Sequence, residues 1–283
     1  MKNPKFAFFG TPYVARDTLA ILVARGYVPE VVITSPDAHK GRGLALTPSE
    51  TKEWALARDL PVLAPEKLDA ETVQEIGSYG CDFAVVVAYG KILPQELLNA
   101  FPTGVLNIHY SLLPKYRGAS PVESALLSGD ELTGVSIQKM ALELDAGDIL
   151  EQKGVPIGPE ETTRELRPRL ITIGAELLAD VLPSFVSGAA SLVPQDHQNA
   201  TIAGKIDKKE GLLDLSGNAE ENWNKYRAYA ESPGTYFMIE KNGKKMRVKI
   251  ASAKYEDGQF IPLRVIPEGK REMEYKDFLL NAG

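Results

Sequence analysis

Phe83-Ala84-Val85-Val86-Val87-Ala88-Tyr89 is the longest unbroken apolar run in this chain of 283 residues. Its β-branched and apolar residues fall on both parities, the pattern of a strand buried on both faces. Such a strand belongs in the middle of a parallel sheet with helices above and below. The flanking sequence agrees. Upstream, strand-like runs at 5–10, 28–35 and 61–64 alternate with helical spacing at 13–25, 50–58 and 69–79. Downstream, 104–109, 134–140 and 149–156 read as strands, and 121–128 and 163–187 as helices. Alternation of this kind predicts an α/β domain with a mainly parallel sheet, expected over residues 1–190.

The pattern then changes. Residues 191–206 are polar and read as a linker. Residues 207–283 offer strand-like runs at 235–240, 245–253, 259–266 and a short 277–280. The turns Asn242-Gly243 and Asp257-Gly258 between them are hairpin signals. A small antiparallel β domain or barrel is expected.

Composition narrows the function classes. Apolar residues make up 44% and charged residues 25%, as in soluble globular proteins. Seven apolar residues in a row fall far short of the roughly 20 that cross a bilayer. The apolar patch before Gly10-Thr11-Pro12 is also too short for a secretory signal, so a cytoplasmic protein with no membrane partner is expected, and a monomer is expected besides. One cysteine, Cys81, rules out an intrachain disulfide, and with only three dispersed histidines no His/Cys metal site is expected. The net charge is −6, yet residues 201–283 carry 15 basic against 13 acidic groups. The C-terminal part is the more basic half.

In parallel sheets ligands bind beyond the carboxyl ends of the strands. At one such end stands Asn107-Ile108-His109-Tyr110-Ser111-Leu112-Leu113-Pro114-Lys115-Tyr116-Arg117-Gly118. Asn107 and His109 project to one face, because side chains alternate along a strand. An amide donor beside an imidazole can stabilise an oxyanion and move protons near neutral pH. The segment Leu142-Glu143-Leu144-Asp145-Ala146-Gly147-Asp148 follows another strand and is expected at the same carboxyl edge. An acid there could orient His109; strand logic does not choose between Asp145 and Asp148. The loop at 36–49 is long, and Lys40 and Arg42 among its glycines could grip phosphate. No G-x-G-x-x-G follows the first strand, which disfavours a nicotinamide dehydrogenase. Gly-x-Ser-x-Gly is missing too, so no hydrolase elbow is expected.

These residues resemble a known family. Asn107-x-His109-x-Ser111-Leu112-Leu113-Pro114-x-Tyr116-Arg117-Gly118, with Asp145-Ala146-Gly147-Asp148, is similar to the two signatures of the 10-formyltetrahydrofolate-dependent formyltransferases. Phe8-Phe9-Gly10-Thr11-Pro12, Ser35-Pro36-Asp37, Gly41-Arg42-Gly43 and Val86-Val87-Ala88-Tyr89-Gly90-Lys91-Ile92-Leu93-Pro94 extend the likeness. So do Ile266-Pro267-Glu268-Gly269-Lys270 and Asp277-Phe278-Leu279. Over nearly the whole length, the chain looks most like members that act on initiator Met-tRNA.

The resemblance implies a Rossmann-like catalytic domain followed by a small OB-like β-barrel. It implies formyl transfer from 10-formyltetrahydrofolate, used as donor substrate, to the α-amino group of the tRNA-borne methionine. Formylation of an amino-sugar nucleotide or another small amine is the alternative. The implied catalytic residues are Asn107, His109 and Asp145. Folate contacts fall to Ser111, Leu112, Leu113, Pro114, Ala88, Gly90, Ile92 and Leu144, and tRNA contacts to Lys40, Arg42, Lys208 and Lys209. Tyr110 stands where a small residue or proline is usual in the family.

Overall fold

The computed structural model describes residues 5–40, 45–241 and 243–282. The first elements are β1 (Phe6–Gly10), α1 (Tyr13–Ala24), β2 (Val31–Ile33), β3 (Ala38–Lys40), β4 (Ala45–Thr47) and α2 (Glu50–Leu56). Then come β5 (Val62–Leu63), α3 (Ala70–Gly77), β6 (Phe83–Val87), α4 (Gln95–Asn99), β7 (Gly104–His109), β8 (Arg117–Gly118) and α5 (Pro121–Leu127). β9 (Leu132–Lys139), β10 (Ile149–Pro156), α6 (Thr163–Val186) and β11 (Ile202–Ala203) follow. The chain ends with α7 (Ala219–Ala228), β12 (Tyr236–Lys241), β13 (Lys244–Glu256), β14 (Gln259–Pro267), β15 (Met273–Glu274) and α8 (Tyr275–Ala282).

Two compact units result. One comprises Met1–Gly118, Gly134–Val155 and Pro168–Ile202; the other comprises Ala119–Thr133, Pro156–Arg167 and Ala203–Gly283. The first is built on a seven-stranded sheet in the order β10-β9-β7-β6-β1-β2-β5. β1, β2, β5, β6 and β7 are mutually parallel, as the double-sided burial pattern requires. All five residues of β6 are buried. Each such Val or Phe contributes roughly 1.5–3 kcal/mol by leaving water. Phe6 stacks on Phe83 at 5.3 Å between ring centroids, tying β1 to β6. At Gly10 a Cβ would lie 2.3 Å from the Ala15 Cβ, so only glycine lets the strand end meet α1 this closely. Thr11 then draws three strand ends together. Its hydroxyl donates to the Tyr89 carbonyl oxygen at 3.0 Å and pairs with the Ser35 hydroxyl at 3.1 Å.

The second unit holds a four-stranded antiparallel sheet, β12-β13-β14-β15. Leu213, Phe237, Val248, Ile250, Val265 and Phe278 form its core.

Several expectations are corrected. β9 runs antiparallel to β7, so its carboxyl end does not lie at the edge where the parallel strands end. Period-2 alternation is the same for either strand direction, which is why the sequence did not show it. Residues 277–280 are helical, within α8: Phe278 is buried while Leu279 and Leu280 are exposed. A strand would have alternated. The loop at 36–49 contains the β3–β4 hairpin, with Ala38 opposite Thr47. β2 is only three residues long, and α7 and α4 were not anticipated. Asn242 lies outside the described residues.

Candidate active site

β7 places Asn107 and His109 on one face, and both are buried, at 9% and 5% exposure. Asp145 arrives from the turn after β9 and has a left-handed backbone, φ 48°. That turn doubles back tightly: a Cβ on Gly147 would sit 1.8 Å from the Lys139 carbonyl oxygen. Asp145 therefore reaches the end of β7 although β9 leads the other way. Asp148 does not enter the polar cluster; its backbone carbonyl accepts from the Lys139 amide as β9 and β10 begin to pair.

The Asp145 carboxylate accepts from three donors. Oδ1 accepts from Gln138 Nε2 at 2.8 Å and from Asn107 Nδ2 at 3.4 Å. Oδ2 accepts from the Gly118 amide at 2.8 Å and lies 3.6 Å from His109 Nδ1. His109 Nε2 meets the Tyr116 carbonyl oxygen at 2.8 Å. A carbonyl only accepts, so the ring carries its proton on Nε2 and turns Nδ1 toward Asp145. The Nδ1–carboxylate separation is longer than a hydrogen bond. Burial pushes the His109 pKa below the ordinary imidazole value, against the upward pull of Asp145 and the Tyr116 carbonyl. His109 thus stays neutral at neutral pH rather than standing as a preformed imidazolium. Burial also pushes the Cys81 thiol up to about 11, which removes it as a nucleophile at neutral pH.

Two residues of this cluster went unread in the sequence. Gln138 faces Asn107 directly across the antiparallel β7–β9 pair. Gln195 comes from the polar stretch read as a linker, yet it is buried. Its Nε2 donates to the carbonyl oxygens of Asp145 (2.8 Å) and Gly147 (2.7 Å). Its Oε1 accepts from Arg117 Nε and from an Arg117 terminal nitrogen, at 3.2 and 2.8 Å. Arg117 also contacts His197 Nδ1 at 3.1 Å. A polar tract gives no local sign that one of its glutamines is buried.

The other named positions separate into groups. Ser111 donates to the Lys115 carbonyl and shapes the loop, and the Leu113 amide donates to Ser136 Oγ. The Pro114 carbonyl oxygen accepts from the Thr201 amide, and Leu112 lies against Gly134. Ala88 and Gly90 have positive φ on the loop after β6, the strand next to β7. Ile92 is 84% exposed, and Leu142 and Leu144 are each 61% exposed. Lys208 and Lys209 are exposed in the second unit. Lys40 lies at the end of β3, and Arg42 falls outside the described residues. Tyr110 points away from Asn107 and His109; its hydroxyl meets Thr18 of α1 at 3.3 Å.

Among known proteins, residues 5–182 match the family model "Formyl transferase", and residues 205–262 match "Formyl transferase, C-terminal domain". The methionyl-tRNA formyltransferase of Myxococcus xanthus (strain DK1622) is 38% identical, over 99% of this chain and 95% of that protein. The protein of the same name from Bdellovibrio bacteriovorus is 41% identical, over 91% of this chain and 81% of that one. The solved structure of a 4-N formyltransferase from Francisella tularensis superposes with a TM-score of 0.67 at 17% identity, covering 87% of this chain and 96% of that one. An N-formyltransferase from Helicobacter canadensis, solved with folinic acid and dTDP-3-aminofucose, gives 0.65 at 18% identity, covering 89% of each chain. The two structural likenesses speak to the fold alone.

Proposed function

The chain belongs to the formyl transferase family, and from that premise we propose that it moves a formyl group from 10-formyltetrahydrofolate to the α-amino group of methionine on initiator Met-tRNA. The observation that carries the chemistry is the convergence of Asn107, His109 and Asp145 at the end of β7. The near full-length likeness to relatives named methionyl-tRNA formyltransferase carries the choice of acceptor.

The donor supplies an electrophilic formyl carbon. The acceptor amine titrates at about 7.7–8.0 when free, so a useful fraction is neutral at physiological pH. Attack places negative charge on the formyl oxygen and leaves a surplus proton on the amine. Asn107 answers the first: its amide is held only loosely by Asp145, so an N–H is free for the oxyanion. A preorganised donor of this kind is worth about 3–4 kcal/mol in the transition state. His109 answers the second. Its Nδ1 lone pair accepts the proton, and the imidazolium formed is bracketed by the Tyr116 carbonyl and Asp145 Oδ2. The same proton then goes to the departing nitrogen, so no covalent enzyme intermediate is needed.

The residues present suit a flat, partly apolar donor. Ile92, Leu142 and Leu144 are large apolar side chains left in solvent, and a ligand covering them would recover that burial. Ala88 and Gly90 would present backbone groups to its polar edge, and Ser111, Leu112, Leu113 and Pro114 would form its other wall. Lys40, Arg42, Lys208 and Lys209 are assigned to tRNA phosphates.

Transfer of label from radiolabelled 10-formyltetrahydrofolate tests this reading. Initiator Met-tRNA, elongator Met-tRNA and an amino-sugar nucleotide are offered in parallel. Label on initiator Met-tRNA alone is expected. Label on the sugar would overturn the acceptor, and no transfer to any amine would overturn the reaction.

A further inference from the structure

Gln138 is fully buried, at 1% exposure, and sits on β9 opposite Asn107 on β7. Directly opposed residues of an antiparallel pair share a face and lie within side-chain reach. Both amides address the same atom, Asp145 Oδ1, but unequally: Gln138 Nε2 at 2.8 Å and Asn107 Nδ2 at 3.4 Å. The orientation of the Gln138 amide is forced, because an ionised carboxylate only accepts. Its Oε1 is buried with no hydrogen-bond partner among the described residues. A fold selecting for stability alone has no use for that orphan acceptor, whose burial is unfavourable.

We propose that Gln138 is a positioning residue: it occupies Asp145 Oδ1 so that the Asn107 amide stays available to the reacting oxygen. The carboxylate has limited acceptor capacity toward β7 and β9. With Gln138 in place, the short charge-assisted bond goes to Gln138 and Asn107 is left at the margin of bonding distance. Without it, the Asn107 amide, already at the margin of bonding on Oδ1, closes on that oxygen and must be pulled away in every turnover. The role is selective for the transition state, since Asn107 is needed only as charge develops. This inference rests on the formyl-transfer reading.

The test is Gln138→Met in the full chain, which keeps the length of the side chain and removes both the donor and the orphan acceptor. The expected result is a 10- to 100-fold fall in kcat, a KM for Met-tRNA within threefold of wild type, and a melting temperature equal to or above wild type. In an Asn107→Ala background the same change is expected to cost less than threefold, because the residue it serves is gone. An unchanged kcat in Gln138→Met, or an equal loss with and without Asn107, would overturn the proposal. So would a kcat loss that simply tracks a lowered melting temperature. Gln138→Leu, read the same way, replaces the Met variant if that one does not fold. An inactive wild-type protein would instead strike the formyl-transfer reading itself.

Discussion

His109 donates its Nε2–H to the carbonyl oxygen of Tyr116, seven residues further along the chain, at 2.8 Å. Tyr116 can offer that carbonyl because its backbone is left-handed, φ 61°, turning the loop back over the strand end. The bond fixes the tautomer of a buried imidazole. It leaves Nδ1 as the ring nitrogen that keeps its lone pair.

The pH profile follows from that burial. The His109 pKa lies below the ordinary value of about 6.5. The base form therefore persists below pH 6.5, and the acid limb of kcat/KM is expected below that value. The stability sign is the same. Above about pH 6.5 the ring is neutral in both folded and unfolded chains, so its contribution is complete. As pH falls, the unfolded chain takes up a proton the folded one resists, and stability is lost down through the folded pKa. NMR titration of the three histidines, with His109→Asn for assignment, checks both. A limb at or above 6.5 would sink the assignment of a neutral base.

Asn107→Ala removes the amide proposed as the oxyanion donor while leaving Asp145 its bonds to Gln138 and the Gly118 amide. Turnover is expected to drop 100- to 1,000-fold, about 3–4 kcal/mol, with KM little changed. Steady-state kinetics alongside circular dichroism decides it; near-normal turnover would take Asn107 out of the mechanism.

Gln195→Ala strips the Asp145–Gly147 turn of two donors and leaves the Arg117 guanidinium without its main acceptor. Arg117 is only 3% exposed, so water does not replace the lost bond. A stability loss of roughly 2–3 kcal/mol is expected in denaturant titration, with lowered kcat. A variant as stable and active as wild type would show that the turn holds itself.

Lys208 and Lys209 are exposed, so any hold on tRNA through them is electrostatic. The logarithm of tRNA affinity is expected to fall by about 0.7–0.9 per tenfold rise in salt for each phosphate neutralised. Lys208→Ala with Lys209→Ala flattens that slope while leaving the KM for the formyl donor unchanged. A slope identical to wild type would remove both lysines from the interface.

What the sequence determined by itself is local. The double-sided apolar run of β6, the range 104–109 of β7 and the shared face of Asn107 and His109 follow from side-chain period alone. The signature residues around them carried the resemblance to the formyl transferase family, to which the chain belongs. What the tertiary structure decided is everything that depends on pairing between distant segments. The antiparallel direction of β9, and with it the placing of Gln138 against Asn107, is invisible to alternation, which reads the same both ways. The burial of Gln195 is equally hidden, since a polar side chain enters the interior only where distant carbonyls and a guanidinium satisfy it. Hydrogen-bond partners supplied from 48 and 78 residues away have no signature in the residues beside them.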